Sequence, residues 1–148
     1  MYTKGLTTEE FQRLFTRDTR DAYRYFSRGI DRDGWALAEC QFEVAPRPGS
    51  AGVRLRLSIP SRPNKEWQGQ WTMWLDDERH SLVVTPGRWL LEIPCRSDGR
   101  PRKVRIQCEG TVSLSPDPRH RAFRFKDITW QRRLTGRPLT RLRRWHFA

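Results

Sequence analysis

The sequence predicts a mainly β domain, an antiparallel β-sandwich or partly open barrel of about seven strands with one or two N-terminal helices. Three observations carry that expectation. From Trp35 onward apolar residues recur at every second position, the period of a half-buried strand. Clusters of Pro, Gly, Asn and Asp break the pattern at short, regular intervals, as hairpin-sized turns do. Before Trp35 the period is helical.

Residues 7–28 contain the helical pattern. Thr7 and Glu10 have the spacing of a capping box, and Phe11, Leu14, Phe15, Ala22 and Phe26 fall on one face. Asp18 lies on that face and marks a break. Asp18 or Thr19 then caps a second short helix that stops at Gly29. The segment reads as a helical cover on the β region.

The strands follow in order. In "WALAECQFEV" Ala36, Ala38, Cys40, Phe42 and Val44 alternate with polar residues, and in "VRLRLSI" Val53, Leu55, Leu57 and Ile59 do the same. Further strands are expected at 66–76, 81–85, 88–96, 103–114 and 121–130. The stretches "PRPGSAG", "SRPN", "DDER", "TPG", "SDGRP" and "SPDPR" separate them as turns. Several strands look long and continuous, which favours a sandwich over a barrel.

A chain of 148 residues suits one domain, here 1–148, with a helical cover at 7–28, a β region at 35–130 and a basic tail at 131–148. Seven Trp, seven Phe and three Tyr are more aromatics than a disordered chain carries. No run of about 18 apolar residues spans a bilayer, and the N-terminus lacks the apolar centre of a secretory signal, so a cytoplasmic protein is expected. Cys40, Cys95 and Cys108 form no CxxC pair and sit on inward strand positions, where reduced thiols pack as small hydrophobes. His80, His120 and His146 have no ligand spacing with one another or with a Cys, so neither metal nor cofactor is expected. There is no GxSxG, phosphate-binding Gly-rich loop or HExxH motif. The cluster Asp76, Asp77, Glu78 and His80 is explained by a hairpin turn. A non-enzyme is expected.

Charge is the main functional signal. The formal net charge is +12, and arginines outnumber lysines 25 to four. The planar fork of arginine suits phosphate and carboxylate recognition, although a high-GC genome produces the same bias. Half of the excess lies in the last 18 residues, "QRRLTGRPLTRLRRWHFA", which hold Arg132, Arg133, Arg137, Arg141, Arg143 and Arg144 and no acid. A short helix beginning at Pro138 would make this tail basic and amphipathic, fit for an anionic membrane surface or a protein groove. An extended arm would follow a nucleic-acid backbone, with Trp145 as a stacking group. A tail folded back through Leu139, Leu142 and Trp145 is the third alternative.

A second basic group is Arg100, Arg102, Lys103 and Arg105 in "SDGRPRKVR", which outward Arg54 and Arg56 extend if the strands are neighbours. It would hold phosphates and position them without reading sequence, or it is an ordinary solvated face. In "EWQGQWTMWLDD", Trp67 and Trp71 share a face with Met73 and Leu75 and read as core. Trp74 projects from the other side as a candidate aromatic contact.

The stretch "LTTEEFQRLFTRDTRDAYRYFSRGID" resembles the leader that precedes the membrane segment in some bacterial SpoIIE-type protein phosphatases. The resemblance covers about the first 31 residues, includes no phosphatase domain, and implies a bacterial signalling setting with no catalytic role for any residue here.

The expectation is therefore a non-catalytic, basic binding or adaptor module contacting an anionic macromolecule, with an acidic protein surface as first partner. Nucleic acid, an anionic membrane surface reached through the tail, and a glycan stacked on exposed tryptophans are the alternatives.

Overall fold

The computed structural model describes residues 23–31, 33–44, 46–95, 98–113 and 120–142. No helix occurs among them. The elements are β1 (Tyr23–Ile30), β2 (Trp35–Val44), β3 (Gly52–Ile59), β4 (Gly69–Leu75), β5 (Glu78–Val84), β6 (Gly87–Pro94), β7 (Arg102–Cys108), β8 (Val112–Ser113), β9 (His120–Arg121), β10 (Phe123–Gln131) and β11 (Leu139–Arg141).

Nine of these strands form one sheet in the order β11-β6-β3-β10-β2-β7-β4-β5, with β1 paired to β2, while β8 and β9 form a small second sheet. Every pairing is antiparallel. The sheet folds back on itself where β10 meets β2, because only Phe123–Ala36 and Arg124–Trp35 are paired there. On one side of this corner stand β11, β6, β3 and β10, and on the other β1, β2, β7, β4 and β5. The result is a nearly closed antiparallel barrel with the two walls of a sandwich.

Alternation supplies the interior. Val53, Leu55, Leu57 and Ile59 from β3, Leu91 and Ile93 from β6, and Trp71, Met73 and Leu75 from β4 are all buried in one core. Aromatic rings join the walls: Phe42 of β2 meets Phe125 of β10 edge to face at 5.5 Å, and Trp71 of β4 lies 4.9 Å from Phe123. Such pairs add to the burial of their area.

Arg102 draws the two ends of the path together. It is buried at the start of β7. Its Nη1 donates to the Pro94 carbonyl at the end of β6 at 2.9 Å, its Nη2 to the Leu75 carbonyl at the end of β4 at 3.2 Å, and its Nε to Asp76 Oδ2 at 3.1 Å. Asp76 opens the two-residue turn between β4 and β5 with φ 56°, a left-handed conformation that Asp adopts more readily than most residues.

Several expectations are corrected. Residues 23–28, assigned to a helix, form most of β1, which pairs with β2 from Tyr23–Val44 to Ile30–Ala36. Gly29 does not end a helix: it has φ 75° and lies so close to β2 that a Cβ would stand 2.0 Å from the Glu39 carbonyl oxygen. The rest of the predicted helical cover, and with it most of the stretch resembling the phosphatase leader, lies outside the described residues. Ala38 is exposed although its parity is inward, because β2 exchanges β10 for β7 between positions 36 and 39 and the β1 register shifts there. Cys95 lies just past the end of β6 and is only half-buried. Residues 139–141 are strand β11, paired to β6, where a helix beginning at Pro138 was one expectation. Short strands β8, β9 and β11 bring the count above seven.

Candidate anion-binding surface

The basic residues read from the sequence occupy three different places. Arg102 is removed from the surface group by its burial and its three acceptors. Arg100 is exposed beside Asp98, with Nε 3.6 Å from the carboxylate. Lys103 and Arg105 do share the outer face of β7, opposite Glu43 and Gln41 of β2. Arg105 lies over the ring of Trp74 at 3.9 Å, a cation–π contact.

Together with Asp76 and Asp77, these side chains line an open groove of about 770 Å3. Its cations face Glu43, Asp76 and Asp77, so charge within it is mixed. Arg54 and Arg56 do not extend it, because β3 lies between β6 and β10, away from β7. Both are neutralised: Arg54 Nη2 is 2.9 Å from Glu92 Oε2, and Arg56 pairs with Asp127.

The tryptophans form no common platform. Trp71 points into the core, Trp74 points outward beneath Arg105, and Trp67 is half-buried with Arg62 4.0 Å from its ring.

The tail folds back. After β10, Arg132 and Arg133 are exposed, Leu134 passes over Gly52, and Thr135 donates to Glu92 Oε1 from its amide at 2.9 Å and from its hydroxyl at 2.7 Å. Arg137 is exposed, and β11 then places Arg141 opposite Trp89. Arg143, Arg144 and Trp145 lie outside the described residues.

Strand order also assembles a site from residues far apart in sequence. Across the outer face of the wall formed by β6, β3 and β10, Arg88 pairs with Ser58, Ser58 with Arg124, and Arg124 with Trp35 at the corner. Directly paired residues share a face, so these four side chains stand in one row perpendicular to the strands. Steps of about 4.8 Å per strand put roughly 10 Å between the strands bearing the two arginines. Ser58 between them is short and half-buried, which makes a trough with cationic walls.

One more cation joins the row: Lys126 is exposed two residues beyond Arg124, whereas Arg141, paired with Trp89 and 3.7 Å from where a Gly87 Cβ would stand, belongs to the other face of β6. Arg124 is aimed by its Nε, which donates to the Asp33 carbonyl at 2.9 Å. The concentration of charge is felt by Lys126, whose ammonium is pushed below the usual lysine range by desolvation and then by Arg124 and Arg88. In the neighbouring rows Arg56 pairs with Asp127 and Arg54 with Glu92.

Trp35 ends the row. The buried Arg121 packs against its ring at 4.9 Å, while Arg124 stands 6.0 Å away, at the outer limit of a cation–π contact. The spacings in sequence gave no sign of this row. Ser58, Arg88, Arg124, Lys126 and Trp35 are ordinary outward positions of four strands, and only their order makes them neighbours.

Candidate catalytic chemistry is sparse in the geometry. His80 Nε2 is 2.8 Å from Glu78 Oε1 on the rim of an apolar crevice of about 210 Å3 between β4–β5 and the 134–138 segment. No group of three or more potential metal ligands occurs among the described residues. No helix among them is long and apolar enough to cross a membrane. Compared with known proteins, the chain matches no family model and no curated sequence.

Proposed function

We propose that this chain is a non-catalytic binding module that engages an anionic macromolecule, in the cytoplasm, where Cys40, Cys95 and Cys108 stay reduced. The observation that supports the reading is the row Arg88–Ser58–Arg124 with Lys126, which brings three cationic side chains together on one face of the sheet. An anion in the trough relieves the repulsion among these groups and replaces part of their hydration with charge-assisted hydrogen bonds. Exposed Arg132, Arg133 and Arg137, between β10 and β11, add positive charge in the segment leading to Arg141. The partner classes expected from the tail, namely an acidic protein, nucleic acid or an anionic membrane, are all served by this chemistry.

The test is binding of the full chain to polyglutamate, to single- and double-stranded oligonucleotides and to anionic vesicles across a salt series. At least one polyanion should bind with an affinity that falls as salt rises. Ser58→Asp puts a carboxylate on the trough floor and should weaken that binding at least tenfold with the fold intact by circular dichroism. Binding that is indifferent to salt and to Ser58→Asp would remove the reading. Point variants suit this test better than truncation, since ending the chain at Gln131 would delete β11.

A further inference from the structure

The groove of about 770 Å3 lies on the other wall, away from the Arg88 row, and has the size of a small-ligand site. On the outer face of β2, β7 and β4, Gln41 pairs with Arg105 and Arg105 with Trp74 in one row, and Glu43 pairs with Lys103 in the next. Asp77 is exposed in the turn that follows β4. Two rows about 7 Å apart on strands spanning roughly 10 Å set these groups within reach of one ligand. Among the described residues, the side chains of Gln41, Glu43, Asp77 and Lys103 have no hydrogen-bond or ion-pair partner, and the Trp74 N–H has no acceptor. Asp76 differs, since its oxygens accept from Arg102 and from the Lys103 amide. Two carboxylates, an ammonium, an amide and an indole N–H thus stand ready along one groove, most of them on strands paired from both sides and so held in place.

A ligand for this groove must donate and accept throughout and bring no net charge. A polyanion meets the carboxylates of Glu43, Asp76 and Asp77, and a polycation meets Lys103 and Arg105. An extended peptide gains no main-chain hydrogen bonds here, because β7 is paired on both sides and the groove lies on the face of the sheet instead of an edge. A sugar satisfies every member. Each hydroxyl is both donor and acceptor, neighbouring hydroxyls can bridge a carboxylate and an ammonium, and the C–H face of the ring buries apolar surface. We infer that the groove of Gln41, Glu43, Trp74, Asp77, Lys103 and Arg105 is a binding site for a neutral oligosaccharide, with one ring packed on the Trp74–Arg105 pair. Arg105 lies 3.9 Å from the centre of the Trp74 ring, so the pair offers apolar surface with guanidinium donors beside it. Glu43, Asp77, Lys103 and Gln41 take the hydroxyls. The next row, Glu39–Gln107–Thr72, continues the same outer face with polar groups for a second ring.

The experiment titrates the full chain by calorimetry with maltohexaose, cellohexaose, laminarihexaose and chitohexaose, at low and at high salt. A sulfated hexasaccharide, polyglutamate and a peptide of alternating Glu and Lys are the comparison ligands. At least one neutral oligosaccharide should bind with an affinity that salt leaves unchanged. Trp74→Ala should weaken that binding about tenfold through the lost apolar contact. Glu43→Gln with Asp77→Asn should also weaken it about tenfold or more, because hydrogen bonds to charged acceptors are lost. The same pair removes two negative charges, so it should leave polyglutamate binding unchanged or tighter. Arg88→Gln with Lys126→Gln should not affect the oligosaccharide. If Trp74→Ala fails to fold, the near-isosteric Glu43/Asp77 pair decides the question by itself. Three results overturn the inference: no binding of any neutral oligosaccharide, binding that a folded Trp74→Ala or the Glu43/Asp77 pair retains in full, or tighter binding of the sulfated hexasaccharide or the peptide. The groove and the Arg88 row stand on different walls, so each of these results leaves the anionic-partner reading to its own test.

Discussion

Replacing Arg102 with methionine would keep much of its apolar stem while stripping the Leu75 and Pro94 carbonyls and the Asp76 carboxylate of a shared donor. Hydrogen bonds to a charged group are stronger than neutral ones, and a buried acceptor left without its donor bears a desolvation cost. The loss should be about 3 kcal/mol, read as a lower urea midpoint with an unchanged m-value. Asp76→Asn should cost less, because Asn tolerates the left-handed turn and still accepts from the Lys103 amide through its Oδ1. The cysteines differ among themselves in the same physical way. Burial pushes the Cys40 thiol up to about 12 and the Cys108 thiol well above its usual value, while Cys95, also raised by desolvation, is half-buried. Iodoacetamide at pH 8 should therefore label Cys95 first in the folded protein and reach Cys40 and Cys108 only on unfolding, as mass spectrometry would record.

Strand β6 owes one of its partners to a single carboxylate. Glu92 projects from its outer face, yet it is buried by the 132–138 segment, which it ties down through Thr135. Desolvation raises its pKa, but hydrogen bonds from the Thr135 hydroxyl, Arg54 and the Thr135 amide outweigh that effect and hold it below the usual carboxylate range. A carboxyl with a folded pKa below its unfolded value of about 4.3 contributes stability above that pH, and the contribution is lost as pH falls through the folded value. Acid should thus loosen the 132–138 segment and β11 below about pH 4. Glu92→Gln should be less stable than the parent at pH 7 and show a smaller loss between pH 5 and pH 3, measured by thermal unfolding across that range. Thr135→Ala should reproduce part of the neutral-pH deficit, about 1 kcal/mol for the lost hydroxyl bond.

Charge over the molecule is uneven in a way that its total does not convey. The outer face of β6, β3 and β10 has the ion pairs Arg54–Glu92 and Arg56–Asp127 in two rows and brings Arg88, Arg124 and Lys126 together in the third, and the β7 face mixes Lys103 and Arg105 with acids. Long-range attraction of an anion depends on the summed field, whereas its docking position depends on where charge is uncompensated. Raising salt should slow association and weaken affinity together, and Arg88→Gln or Lys126→Gln should each lower the salt slope of polyanion binding by about 1. Arg105→Gln should have a smaller effect on affinity than either, since Arg105 lies on Trp74 in a groove that also carries carboxylates. Titrations at three salt concentrations would separate these contributions.

The alternation of residues 53–59, 69–75 and 102–108 determined the strands, the inward faces and the antiparallel β class, because side chains in a strand point to alternate sides wherever the strand is placed. The turn at Asp76–Asp77 and the burial of Cys40 were legible for the same local reason. The stretch 23–28 was not: its helical spacing was overridden by a ladder to β2, an energy available only after β2 exists. The path of the tail was equally hidden, since β11 depends on an unoccupied edge of β6 some fifty residues upstream. The candidate site lay furthest from view. Arg88, Ser58, Arg124 and Trp35 become a row because β3 is inserted between β6 and β10 and β10 turns the corner onto β2. Periodicity reports which way a side chain faces. Its neighbours across the sheet are set by strand order, which tertiary packing decides.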